Sequence, residues 1–451
     1  MDSVRKRSGK EAAAQGTGEI IGVDDLVLVM GSTGFVGARV VTNLLSRSLR
    51  NFRDLVLARS IFGRFLRNNH HRHQIRKNLL IPHGFEPNYV VGFARGLAAN
   101  GIDITVASSD EIGGRLRAAG ISERNLRGSQ ETNRSAGKKA ANLVRYYLLL
   151  LWTVVRHRGG AIHFNGLLSS RIIFIDGVLL PVWLRLWAGR YIHTAHNAVP
   201  HGREGSRLFR MMYRWIYRFP HVIITHTEKV AQQLQTEFGV AKDRIATISI
   251  GLNEEVPETA LSAHDARRKL GLPIDAPVAV FFGKVEPYKG VDLLAEAWGH
   301  IQTPNARLVI AGWCPDAEYA NSVRTAMARS PKAASMEWRE GFVPNEAVAH
   351  WLTAADGVVM PYRNIYQSGV VFLCLRFGVP IVATNVGSLA EFIDERSGVI
   401  AETNDAKGIA AALDQFFACR DGFRRADIAQ RGAKYRWDHQ CEAIKHLYNR
   451  N

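Results

Sequence analysis

The sequence predicts an α/β protein of two tandem domains, each a mostly parallel sheet covered by helices on both faces. Three observations carry that class. From residue 77 onward, short apolar runs alternate with amphipathic helical patterns, the order that βαβ units impose. The alternation lapses over residues 253–266, which are acidic and low in periodicity, and then restarts. The charge divides at the same place. Of the net +17, residues 61–252 carry +16 and residues 253–451 carry −2. With 451 residues, 47% hydrophobic and 22% charged, the chain has enough length and apolar content to bury two cores, which excludes a disordered or collagen-like chain. Its four cysteines are far apart without a C-x-x-C spacing, so neither a zinc ribbon nor a disulfide framework is expected, and a reducing compartment fits.

The first 76 residues read as an extension followed by a basic linker. A strand at 25–30, the turn Gly31-Ser-Thr-Gly-Phe-Val-Gly37, a helix at 38–46 and a strand at 54–58 form a βαβ-like piece. It resembles the opening of extended or atypical short-chain dehydrogenases, with Arg59 where such proteins read a phosphorylated ribose. No Tyr-x-x-x-Lys follows and no further strands complete the sheet, so an appended piece is expected rather than an NAD-dependent oxidoreductase. Residues 61–77 are His-rich and basic without periodicity, as befits a solvated linker rather than a metal site.

The first domain is expected over 77–252. Strands are predicted at 78–82, 103–107, 161–164, 191–194 and 222–225, with a helix at 89–100 that Gly101 ends. The second is expected over 253–430, with strands at 278–282, 307–311, 336–338, 357–360 and 379–383. A closing helical stretch, read as running from about 416 to 448, would cross back to the first domain over 431–451. The most apolar runs, 146–155 and 172–184, fall short of the ~20 residues a membrane span needs, and the N-terminus carries no secretory signal.

Chemistry concentrates in two strand-to-helix loops of the second domain. Phe281-Phe-Gly-Lys284-Val-Glu-Pro-Tyr-Lys289-Gly290 places two ammonium groups beside a glycine turn, which suits a diphosphate. In Met360-Pro-Tyr-Arg-Asn-Ile-Tyr-Gln367-Ser368-Gly369-Val370, Ser368 and Gly369 stand where a helix N-terminus offers free amides to a phosphate.

These segments, with Val309-Ile-Ala-Gly312, Gly341-Phe-Val-Pro-Asn-Glu346, Phe377-Gly-Val-Pro-Ile-Val-Ala-Thr384, His193-Thr-Ala-His-Asn-Ala-Val-Pro-His201 and Tyr435-Arg-Trp-Asp-His439, resemble the GT-B glycosyltransferases of the family-4 type. The resemblance covers the chain from about residue 77 to its end. It implies two Rossmann-like domains facing a cleft, with a nucleotide-sugar donor, UDP- or GDP-linked, on the second and the acceptor on the first. It also implies that Lys284, Lys289 and the Ser368–Gly369 amides bind the diphosphate, that the Gln367–Val370 segment contacts the donor, and that His196 faces the transferred sugar. The loop 84–88, with Gly84, would lie under the phosphates, and no metal or other cofactor is implied. One departure is plain: the family's Glu-x7-Glu positions fall on Ile365 and Leu373, so both carboxylates are missing. Gln367 then becomes the candidate for a sugar hydroxyl, and Glu86 the candidate base on the acceptor side.

The basic excess has its own pattern. Arg207, Arg210, Arg214 and Arg218 step by three and four along one helix face, interleaved with Phe209, Tyr213, Trp215 and Tyr217. Two readings stand: a helix lying in an anionic membrane interface, or a buried helix with a solvated basic edge. No nucleic-acid motif accompanies the charge. The expected function is a glycosyltransferase acting on a lipid-linked or polysaccharide-precursor acceptor, cytoplasmic and peripherally attached to the inner membrane face. A nucleotide-sugar epimerase or hydrolase, or a non-catalytic binding module, is the alternative.

Overall fold

In a computed structural model the described residues are 77–82, 86–131, 135–168, 175–200, 203 and 205–449. The 25–59 piece, the linker before residue 77 and Gly84 lie outside them. Runs of apolar residues too short for a helix become strands buried from end to end, and each sheet is wholly parallel. The first comprises β1 (Asn78–Ile81), β2 (Ile104–Ser108), β3 (Ser122–Asn125), β4 (Ala161–Phe164), β5 (Arg190–Ala195), β6 (Val222–Thr225) and β7 (Ile245–Thr247), in the order β3-β2-β1-β4-β5-β6-β7. The second comprises β8 (Val278–Phe282), β9 (Arg307–Ala311), β10 (Met336–Arg339), β11 (Gly357–Met360), β12 (Ile381–Ala383) and β13 (Gly398–Ile400), in the order β10-β9-β8-β11-β12-β13. These are two tandem Rossmann-like domains of the GT-B kind.

Alternation along β1 shows why both faces are covered. Leu79 and Ile81 enter one apolar cluster with Tyr146 and Leu150 of the helix Ala136–Arg156. Leu80 enters another, with Val90, Phe93 and Leu97 of the helix Pro87–Ala99. Successive strand residues point to opposite faces, so a strand apolar throughout requires a helical layer on each side.

Four elements differ from the sequence reading. β3 is Ser-Glu-Arg-Asn, a polar edge strand held by its ladder to β2 rather than by apolar side chains. β7 and β13, absent from the sequence reading, are only three residues long. The closing stretch is not one helix: it breaks into Ala406–Cys419, Arg425–Gly432 and Trp437–Ile444, joined by single 3-10 turns. The last break, at extended Arg436, redirects the chain onto the first domain. There Trp437 lies against Gly92 and Gly251, where an added Cβ would fall 2.3 and 2.0 Å from its ring atoms. Tyr89 and Phe93 meet the same ring edge-on at 5.0 and 5.4 Å. Tyr448 completes the contact, its hydroxyl 2.5 Å from buried His163 Nδ1.

Candidate active site

In both sheets the strand order reverses at one point, between β1 and β4 and between β8 and β11. Ligands of open parallel sheets bind outside the carboxyl ends of strands at such points. The loops that leave β1, β8 and β11 carry Glu86, Lys284, Lys289 and Gln367–Val370, and the loop after β5 carries His196.

After β8, the 3-10 turn Pro287–Lys289 ends at left-handed Gly290 (φ 65°), packed so closely on Pro361 that a Cβ would stand 2.2 Å from its carbonyl oxygen. Only glycine brings this turn against the loop that follows β11. Arg363 fastens the two: its backbone N donates to Tyr288 O (2.8 Å) and its guanidinium grips Asp292 at 2.7 and 2.8 Å. Burial raises the Asp292 carboxyl, but hydrogen bonds from Arg363 and Tyr319 outweigh it and leave the group below the ordinary range. The clamp is therefore ionised at neutral pH.

The clamp holds Lys289, which is only 9% exposed. Among the described residues no carboxylate lies within ion-pair distance of it. Burial, with help from the neighbouring Lys284 charge, brings its pKa down to about 8 against the opposing pull of Glu286 and Glu86. Lys284 is half-exposed, paired to Glu286 at 2.7 Å and 6.0 Å above the Trp313 ring. A point one Cβ bond from Gly283 lies 3.5 Å from Lys289 Nζ and 4.0 Å from Val370 Cγ2, so both loops close on one small space. Ser368 there caps the helix Gly369–Phe377 without a side-chain hydrogen bond, and open space fronts Gly369. Uncapped first-turn amides beside a buried ammonium make an anion cradle.

Ile365 and Leu373 are buried in the second-domain core, so the missing carboxylates are replaced by packing. Gln367 instead crosses the cleft: its Nε2 donates to His196 O at 3.4 Å, while its buried Oε1 has no partner. His196 Nε2 lies 3.1 Å from Asn165 Oδ1 in the loop after β4. Its ring packs at 5.1 Å from Tyr89 and 5.0 Å from His226. Burial, then the neighbouring histidines, holds it well below the ordinary pKa, so it is neutral. Beside it opens a pocket of about 320 Å³ walled by Gly166, Leu168, His193, Pro200, Tyr213 and Tyr217. Glu86 is exposed at the start of the Pro87–Ala99 helix and makes no capping bond. Its charge acts on Lys289 across the cleft. Among the described residues no three His, Cys, Asp or Glu side chains are placed to hold a metal ion.

Sequence reasoning missed Asn165, the Arg363–Asp292 clamp, and Trp313, an exposed aromatic just beyond β9. Trp313 follows Gly312 at the end of β9, the one signal that marks it. The arginine face is placed differently from the interface reading. Arg207, Arg214 and Arg218 are exposed, but Arg210 pairs with Glu237 at 2.6 Å and Arg214 donates to its backbone oxygen at 2.9 Å. Tyr213, Trp215 and Tyr217 point into the core, because the helix Arg207–Ile216 must cover the sheet. The charge is displayed; those aromatic anchors are not.

Comparison with known proteins agrees with this architecture. Residues 87–256 match the family described as Glycosyltransferase Family 4, and residues 276–418 match Glycosyl transferases group 1. A D-inositol 3-phosphate glycosyltransferase of Xylanimonas cellulosilytica is 30% identical over 50% of this chain and 56% of its own length. One from Streptosporangium roseum is 25% identical over 80% of this chain and 87% of its own. The crystal structure of Anabaena HepE in complex with UDP and glucose superposes with a TM-score of 0.63 at 12% identity, covering 82% of this chain and 98% of that one. At that identity the likeness speaks for the fold.

Proposed function

Given that the chain belongs to the group-1, family-4 glycosyltransferases of GT-B fold, we propose that it moves a sugar from a UDP- or GDP-linked donor to a hydroxyl of a lipid-linked or polysaccharide-precursor acceptor. The observation that carries the donor half is Lys289. A buried lysine without an ion pair is costly unless an anion arrives, and the adjacent helix N-terminus favours the same charge. The diphosphate sits between them, with Lys284 at the rim, and its departing charge is neutralised without reorganisation. The UDP bound in the Anabaena structure supports this class of donor. Gln367 and Asn165 then stand where sugar hydroxyls would satisfy their buried, unpartnered atoms.

On the acceptor side the relatives' names specify an inositol phosphate. Here the described residues lining the pocket are Leu167, Leu168, Pro200, Tyr213 and Tyr217 beside His193, Thr194, His196 and Asn197, and no lysine or arginine is among them. A hydroxyl on a less charged, lipid-borne glycan fits better, and attachment to the inner face of an anionic membrane would bring enzyme and acceptor together. We assign Glu86 as the acceptor-side base. Glu86→Gln is then expected to lower kcat about 10²-fold with donor KM within about twofold; unchanged kcat removes the assignment.

The lysine gives a pH test. Only its cation neutralises diphosphate, and burial releases the proton above about 8. UDP or GDP affinity, measured by titration calorimetry, should fall by up to about tenfold per pH unit above that point, with proton uptake on binding. Folding responds oppositely. Between about 8 and the ordinary 10.5 the unfolded chain binds this proton more tightly, so the contribution of this group to stability rises with pH. An affinity flat from pH 7 to pH 10 would remove the lysine from the donor site. Incubation with donor alone separates transfer from hydrolysis, since turnover without acceptor favours the latter.

A further inference from the structure

One helix of the first domain holds apolar side chains out in solvent. Val144, Leu148 and Trp152 of Ala136–Arg156 are 61%, 64% and 47% exposed. Their spacing of four makes one stripe along the helix, while Tyr146, Leu150 and Val154 face the core. Lys138 and Lys139 open the helix, Arg145 stands mid-stripe and Arg156 closes it, and no acidic residue occurs within it. Arg124 of β3 and Arg156 lie 4.7 and 4.4 Å from the centre of the Trp152 ring, so guanidinium groups surround the largest apolar group.

A rigid apolar stripe rimmed by cations is a poor surface for water and a good one for a single kind of partner. A second copy apposed symmetrically would set these cations against their like. An anionic bilayer supplies both halves at once: acyl chains for Leu148 and Trp152, headgroup phosphates for Lys138, Arg145 and Arg156. The helix is not long and apolar enough to cross. We propose that this stripe, and not the arginine face of Arg207–Ile216, docks the protein on an anionic lipid surface. Docking also reaches the acceptor pocket. Tyr147, on the same helix, donates to buried Asp176 Oδ1 at 2.6 Å, and Asp176 Oδ2 accepts from the backbone N of Leu168 at 2.7 Å. Leu168 is a wall of that pocket. One buried carboxylate therefore ties the lipid-facing helix to the place where a lipid-borne acceptor would present its hydroxyl. The inference rests on the lipid-linked acceptor reading for its purpose, but not for its test.

The test is co-sedimentation of the full chain with vesicles of phosphatidylcholine, with and without phosphatidylglycerol. The parent protein is expected to bind the anionic vesicles and not the neutral ones. Leu148→Ser with Trp152→Ser, and separately Lys138→Glu with Arg145→Glu, should each weaken binding by about tenfold or more. Arg207→Glu with Arg218→Glu should change it less than about threefold. All three pairs alter exposed side chains, so thermal midpoints and UDP affinity should match the parent. The proposal is overturned if the parent stays in the supernatant, if the serine pair binds as before, if the Arg207 pair abolishes binding, or if the stripe proves to hold a dimer that the serine pair dissolves. Vesicle binding joined to transfer only onto water-soluble glycans would overturn the acceptor reading and leave docking standing. Transfer to a lipid acceptor in detergent by a protein that ignores vesicles would do the reverse.

Discussion

Replacing Lys289 with methionine is expected to lower kcat/KM for sugar transfer by about 10³-fold while leaving the protein at least as stable as the parent. The two effects have one cause. The ammonium is stripped of water without an ion pair in return, so the folded protein carries it at a penalty that an isosteric apolar chain removes. On the proposed donor assignment the same preorganised charge would meet the diphosphate as it departs, and deleting one such donor costs about 10²–10³-fold in comparable sites. Thermal unfolding and initial-rate kinetics on one preparation decide the matter. A variant that loses activity and stability together marks Lys289 as structural, and one that keeps activity relocates the donor site.

Trp437→Ala is expected to destabilise the protein by about 3–5 kcal/mol, among the largest effects of any single truncation here. The indole fills a recess that Gly92 and Gly251 leave open and touches Tyr89 and Phe93. No neighbouring side chain can close that space, because two of its walls are glycine. Activity should fall beyond what unfolding explains, since Tyr89 hydrogen-bonds His226 Nε2 at 3.0 Å and packs against His196. Trp437→Phe should recover part of both losses. A midpoint unchanged in the alanine variant would show that the contact contributes nothing.

The parts of the fold most legible in the sequence are the parts that position the site. β8 and β11, Val-Ala-Val-Phe-Phe and Gly-Val-Val-Met, are buried throughout and therefore read as strands from composition alone. Their loops are picked out by Lys284 and Lys289 beside glycine and by Ser368 at a helix start, and the structure sets both at the reversal of strand order. Illegible features are those in which side-chain chemistry does not record the environment. Ser122–Asn125 is held by backbone pairing, which any sequence can make. Asn165 depends on the loops after β4 and β5 lying side by side, and the bond from Gln367 to His196 on which loops face each other across the cleft. Residues 146–155 are apolar all round, so periodicity cannot say which third of the helix is left outside. The structure assigns that third to Leu148 and Trp152.

The segment from Trp437 to Tyr448 belongs to the core of the first domain although it is made after the second. A nascent chain leaving the ribosome can complete the second sheet's core beforehand, but its first sheet keeps an open flank where Tyr89, Phe93 and Leu97 wait for their cover. Domains usually mature in the order of synthesis. Here the order is inverted, and the first domain reaches its final form only when the second is already built and the chain returns across it. Maturation of the cleft is thereby tied to completion of the polypeptide as far as Tyr448.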